Sequence, residues 1–275
     1  MITTTITPHR GRLSLLRNHL ISLNYQTDPP EEIMVVSQGD TADDQAAIHR
    51  LVDEVFHNPV MNSRVRVLCI GTPEDPWHKA LAINYGIRRC HPKTQIIATL
   101  DVDCILSPEH MTVLRARLKS SSSLYVLCPN RSLIKGAVKP GWTYEQLADA
   151  GQWLDWKGQR ESMGPISFSP GCCQAAVSEW WFDVRGVDED FLWWGSEDED
   201  LAQRASLSGL RWSWMPQKYK MVHQYHPAGQ RTPAMKQYVD RNAKISRKRL
   251  GQKLFRRNLE HWGGGAPSIR HPLDP

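Results

Sequence analysis

The sequence predicts an α/β protein with a mostly parallel central sheet and helices on both faces. Three observations lead there. From residue 2 to about residue 129, short β-branched runs alternate with longer segments of helical period. The order is strand, helix, strand, helix, which lays crossover helices over both faces of a parallel sheet. Finally, 275 residues with 40% apolar and 23% charged side chains suffice for a substantial core and fit neither a disordered nor a membrane-embedded chain.

Taken in order, strands are expected over 2–7, 33–37, 65–70, 95–100 and 124–127, and helices over 13–23, 44–56, 77–89 and 108–118. In such sheets ligands bind beyond the carboxyl ends of the strands, so the loops there are where chemistry is sought. After residue 129 the rhythm breaks. Residues 130–165 are rich in Gly and Pro and read as a large loop region with a helical piece over 144–156. A strand over 165–169 follows, then helices over 177–184 and 197–207, and strands over 210–215 and 219–223. The Gly/Pro-rich end, 263–275, is expected to fray.

The net charge of +5 hides an asymmetry, because 241–257 holds eight Lys/Arg and no acid. Such a tail suits nucleic acid or an anionic surface, and equally a solvated helix face. Six cysteines show neither a C-x-x-C pair nor zinc spacing and read as reduced thiols. With no signal-like start and no apolar run of about 18 residues, a cytoplasmic protein without a transmembrane segment is expected.

Four motifs carry candidate chemistry. Asp101-Val102-Asp103 follows the 95–100 strand, where residues two apart point the same way and two carboxylates invite a divalent cation. Trp193-Trp194-Gly195-Ser196-Glu197-Asp198-Glu199-Asp200 joins flat apolar faces, suited to stacking on a sugar, to four carboxylates. Ser196 and Glu199 have capping-box spacing, but crowding four acids also raises a pKa, as a general base requires. His223 and His226 are spaced to meet one metal ion from a turn. Thr7-Pro8-His9-Arg10-Gly11-Arg12 opens the first helix and, with Lys79, suits phosphate. Neither a P-loop nor a G-x-G-x-x-G fingerprint occurs.

In order and spacing these blocks, together with Lys79-Ala80-Leu81-Ala82-Ile83-Asn84-Tyr85-Gly86-Ile87 and Gly186-Val187-Asp188-Glu189-Asp190-Phe191, resemble the GT-A glycosyltransferases. The likeness is to family-2-like enzymes with a galactosyltransferase-type carboxyl-terminal half and covers most of 2–227. It implies a GT-A domain over 1–240, with a nucleotide-sugar half (1–129) and an acceptor half (130–240), followed by a basic tail, 241–275. The resemblance further implies a nucleotide-sugar donor, UDP-linked by family habit, Mn²⁺ or Mg²⁺ as cofactor, and inverting transfer of a hexose or N-acetylhexosamine to a glycan or other hydroxyl-bearing acceptor.

Residue by residue, the resemblance makes Asp103 and His226 metal ligands with His223 beside them, Asp198 the catalytic base and Glu197 its neighbour. Trp193, Trp194 and Gly195 fall on the acceptor side; Pro8, His9, Arg10, Lys79, Asp101 and Val102 fall on the nucleotide-sugar side. Where many members carry an acidic pair after the second strand, this chain has Ser37-Gln38-Gly39-Asp40, so Gln38 is the candidate for the uracil edge. The rival readings are a glycosyltransferase acting on nucleic acid or an anionic polymer through Arg247, Lys248, Arg249, Lys253, Arg256 and Arg257, and a non-catalytic nucleic-acid-binding protein.

Overall fold

The computed structural model describes residues 1–57, 63–133, 135–138, 141–143, 146, 168–227 and 233–264. The helical piece expected over 144–156, residue 146 excepted, and most of the strand expected over 165–169 lie outside them, as does the end of the chain beyond 264.

Elements follow in the order β1 Thr3–His9, α1 Leu13–Asn24, β2 Glu32–Gln38, α2 Ala42–Phe56, β3 Arg64–Ile70, α3 Lys79–Ile87, β4 Ile96–Leu100, β5 Cys104–Ile105, α4 His110–Ser120, β6 Leu124–Leu127 and β7 Asn130–Ser132. The second half holds β8 Cys173–Val177, α5 Ser178–Asp183, α6 Glu197–Leu207, β9 Arg211–Trp214, a 3₁₀ turn Gln217–Tyr219, β10 Met221–His223 and α7 Pro233–Gln252. A seven-stranded sheet has the order β3-β2-β1-β4-β8-β6-β9, and a three-stranded one the order β5-β10-β7. β3, β2, β1 and β4 run parallel to one another. β8 runs antiparallel to both β4 and β6.

Alternation along the strands divides the core. Ile33, Val35, Ile96 and Ala98 pack under α1, α2 and α4, while Met34, Val36 and Ile97 face α3, α5 and α6 on the other side. α3 lies so close to β1 that a Cβ at Gly86 would come within 2.7 Å of Ile6, so only glycine fits there. α2 begins at Thr41, whose hydroxyl accepts from the Asp44 N–H at 3.2 Å, with Asp43 and Asp44 at the positive end of the helix dipole.

Two differences from the sequence-based expectation matter for the site. The strand expected over 165–169 is not formed at 168–169; the inserted strand is β8, Cys-Gln-Ala-Ala-Val, whose composition gives almost no β-branched signal. Because β8 is antiparallel, its amino end arrives at the edge where β1 to β4 end. There Asp101 and Cys172 exchange hydrogen bonds, Asp101 N–H to Cys172 O at 2.9 Å and Cys172 N–H to the Asp101 carboxylate at 3.2 Å. The second difference is α7, a twenty-residue helix that begins ahead of the stretch read as a basic tail. Among the described residues no helix is long and apolar enough to cross a membrane.

Candidate active site

β10 pairs antiparallel with β5, placing His223 opposite Cys104, and the Gln224 N–H donates to the Asp103 carbonyl at 2.7 Å. The turn after β10 is thereby fastened to the turn after β4. His226 Nε2 lies 3.1 Å from one Asp103 carboxylate oxygen and His223 Nε2 3.5 Å from the other. One ligand atom from each of the three residues lies within 4.8 Å of the others. Arg12 brings its guanidinium to 2.5 Å from Asp103. Burial drives the Asp103 pKa up, but the His226 hydrogen bond and the charges of His223 and Arg12 outweigh it and hold the carboxyl below the ordinary range. Buried Gln224 fixes the turn, accepting from Asn18 Nδ2 at 2.7 Å and donating to the Leu15 carbonyl at 3.1 Å. A carboxylate with two imidazoles is a mixed oxygen–nitrogen set, which suits Mn²⁺ better than Mg²⁺.

The second centre surrounds Lys79, the first residue of α3. Its Nζ lies 3.1 Å from Asp101, 3.2 Å from Asp198 and 3.5 Å from Glu197, so one ammonium serves three carboxylates. Burial opposes the Lys79 charge, but these three acids raise its pKa well above the usual lysine value. Asp198 also accepts from Gln174 Nε2 at 2.7 Å. Burial, reinforced by Glu197 and Asp101 and opposed by Lys79, raises the Asp198 pKa to about 7. Gly171 leaves room beside this carboxylate, since a Cβ there would stand 3.1 Å from Asp198 Oδ2.

The turn before α6 is held by backbone. Trp193 and Ser196 have φ of 63° and 73°, and Gly195 has φ of 108°. Two consecutive-turn residues other than glycine in the left-handed region store strain that the surroundings must hold. The Trp193 N–H donates to the Trp77 carbonyl at 2.8 Å, and the Gly195 N–H to Glu197 Oε2 at 2.8 Å. The capping box expected between Ser196 and Glu199 is absent: Ser196, in the left-handed region, makes no side-chain cap hydrogen bond, and Glu197 reaches back to the turn instead. Trp194 projects from this turn 60% exposed. α7 supports it from behind, with Asn242 Nδ2 donating to the Leu192 carbonyl at 2.8 Å and the Tyr238 ring 5.9 Å from Trp193.

At the ends of β1 and β2 the side chains mostly bind one another. Buried His9 donates from Nδ1 to Asp40 at 2.8 Å and accepts from the Arg12 N–H at Nε2, 3.2 Å away. Asp40 also accepts from Ser37 and from the Gly11 N–H, and these bonds overcome the upward push of burial to lower its pKa. Gln38 accepts from the His78 N–H at 3.0 Å and donates to the Pro76 carbonyl at 3.3 Å. Arg10 donates to the carbonyls of Pro73 and Asp75, both at 2.7 Å.

A family model described as glycosyl transferase family 2 matches residues 4–175, more than half of the sequence. The chain belongs to glycosyl transferase family 2. A second model, described as the N-terminal domain of galactosyltransferase, matches residues 165–227 of this family 2 chain. No curated protein matches it. Its fold is that of the GT-A glycosyltransferases. Residues 1–349 of TarS from S. aureus, solved with UDP, align at a TM-score of 0.56 and 14% identity over 82% of this chain and 61% of that one. The mannosyltransferase PcManGT from Pyrobaculum calidifontis, solved with GDP-Man and Mn²⁺, aligns at a TM-score of 0.58 and 18% identity over 98% and 67%. GalNAc-T7 with UDP, GalNAc and Mn²⁺ aligns at 0.58 and 15% identity over 84% and 45%. The chain thus spans about three fifths of the length of the TarS structure.

Of the residues singled out in the family 2 sequence, the structure brings Asp103, His223 and His226 into one cluster and Lys79, Asp101, Glu197 and Asp198 into another. Lys79, expected on the nucleotide side, stands among the carboxylates, Asp101 of that same side included. Both ring nitrogens of His9 are bonded inside the protein, and the Gln38 amide is held by the His78 N–H and the Pro76 carbonyl. Pro8 is buried at the end of β1, and the Val102 side chain joins the core, leaving only its backbone at the site. Three of the six cations proposed to hold nucleic acid are occupied: Arg249 and Arg257 face Asp188, and Arg256 pairs with Asp183. Sequence reasoning missed Gln174 and Gln224, and Arg12 received only a generic phosphate role. A polar Gln inside the apolar run of β8 is the one signal that could have pointed to Gln174.

Proposed function

We propose that this chain is a metal-dependent, inverting hexosyltransferase. It moves a hexose or N-acetylhexosamine, galactose-type favoured by the family resemblance, from a UDP-linked sugar to an acceptor hydroxyl. The observation that carries this reading is the presence of two charge centres at one sheet edge, the Asp103–His223–His226 cluster and the Lys79-bridged carboxylates around Asp198.

In this reading Asp103, His223 and His226 hold a divalent ion, which when bound supplies positive charge to the diphosphate leaving group. Arg12, already beside Asp103, adds a fixed guanidinium for the phosphates. Asp101, held by Cys172 and Lys79, faces the donor side. Trp194 offers an exposed indole for the acceptor sugar. Asp198 takes the proton from the acceptor hydroxyl as the new bond forms, and attack opposite the departing diphosphate inverts the anomeric carbon. The solved neighbours bound to UDP or GDP-Man, two of them with Mn²⁺, support a nucleotide-sugar donor and a divalent ion.

Thermal unfolding of wild type and Asp103→Ala with UDP, with and without Mn²⁺, tests the donor site. A ligand at about 100 times its Kd adds about 2.7 kcal/mol to the folded state. Stabilisation that needs both ligands and vanishes in the variant is expected. If neither UDP, GDP nor TDP shifts unfolding with any divalent ion, the reading fails.

A further inference from the structure

Gln174 is the only side chain in β8 with polar atoms beyond a thiol, and it is buried in the middle of the sheet. A buried amide is tolerated when both ends are bonded. Here the buried Tyr125 hydroxyl of β6 donates to Gln174 Oε1, and Gln174 Nε2 donates to Asp198 Oδ1 at 2.7 Å. The amide has two orientations. With Nε2 toward Asp198 it donates to a carboxylate; flipped, it would present Oε1 and accept from a protonated carboxyl. The structure holds the first, with Oε1 accepting from the Tyr125 hydroxyl.

We propose that Tyr125 and Gln174 form a hydrogen-bonded relay that favours the ionised form of Asp198 by donating to Oδ1, in addition to Lys79, whose Nζ reaches both carboxylate oxygens at 3.3 and 3.2 Å. Both are positioning residues. The relay builds on the reading of Asp198 as the base and adds what sets its proton affinity. Other charges also face Asp198: Lys79 from α3, Asp101 from the end of β4 and Glu197 from α6 itself, while Asp200 and Arg204 of α6 face Tyr125. Substituting Gln174 leaves these charges in place, so removing the relay has its own signature. Losing a donor to the charged form raises a carboxyl pKa.

The test is carboxyl ¹³C NMR of protein labelled at aspartate Cγ, recorded against pH without donor or acceptor, with the Asp198 signal identified by its loss in Asp198→Asn. In Gln174→Met, which keeps the side-chain volume, the Asp198 midpoint should rise by about one pH unit, a tenfold change in proton affinity. Tyr125→Phe, which leaves Gln174 in place, should raise it by a smaller amount, and the double variant should add nothing beyond Gln174→Met. A midpoint that stays put or falls in Gln174→Met, with near-UV circular dichroism unchanged, overturns the relay. So does a Tyr125→Phe midpoint equal to wild type. Because the titration is read without turnover, an active Asp198→Asn would remove the base reading alone.

Discussion

Burying the Asp198 carboxylate beside Glu197 and Asp101 works against the stability of the folded chain. With its folded pKa near 7, above the ordinary aspartate value, Asp198 holds a proton in the folded state that it has lost in the unfolded one. Its contribution is therefore present below about pH 4 and lost as pH rises toward 7. Asp198→Asn should be at least as stable as wild type at pH 8 by thermal unfolding, while losing transfer by about a thousandfold or more, a base's usual share. The same group sets the acid limb of kcat/KM: transfer should rise with pH through about 7, and a limb below pH 5 would count against the base assignment. On the metal side, His226 Nε2 approaches Asp103 more closely than His223 Nε2 does, 3.1 against 3.5 Å. Titration calorimetry with Mn²⁺ should show a larger loss of affinity in His226→Ala than in His223→Ala. These residues were legible from the sequence because carboxylates and imidazoles at strand ends have few structural uses. Gln174 and the commitments of His9 and Gln38 were not, because they depend on partners from strands far away in sequence.

At the scale of elements, the β-branched runs and helical periods of the first half marked β1 to β4 and α1 to α4 to within a few residues, since burial on both faces enforces those patterns. Legibility failed at β8, whose stability comes from pairing on both sides rather than from its own residues. It failed in part at α7, where a solvated helix face was one reading of the basic run, but neither the start of the helix at Pro233 nor its face against the body was read. That face carries Asn242 and Arg249, and behind it Arg257 and Arg249 converge on the buried carboxylate of Asp188, Nε to Oδ2 at 3.3 and 3.0 Å. Burial raises the Asp188 pKa, and the Asp190 N–H with the charges of Arg249 and Arg204 partly offsets it. Removing one member of such a buried cluster strands the others. Asp188→Ala should lower the unfolding free energy by about 3 kcal/mol in urea titration, and a loss below about 1 kcal/mol would mean that water already reaches the arginines.

Seen whole, the molecule gathers a strip of unpaired positive charge along α7 and the residues just after it. Lys244, Arg247, Lys248 and Lys253 are exposed and make no ion pair among the described residues, whereas neighbouring arginines are tied to Asp183, Asp188 and Asp190. The expected basic strip is thus real but about half as strong as the count of residues suggested. The two halves of the chain are joined by β8, which sits between β4 and β6 although some 70 residues separate it from β4. A fragment of residues 1–132 would leave the β4 edge open, and it should elute as aggregate rather than monomer in size-exclusion chromatography. The same insertion sets a schedule during translation. While the ribosome is still making the first 170 residues, Asp101 has no Cys172 to meet and Lys79 has only one of its three acids. The nascent chain therefore carries a nearly finished sheet with a vacant central slot, a pairing of long sequence separation that is slow to close. Its chemistry is assembled last, when a strand with little preference of its own is drawn into the slot.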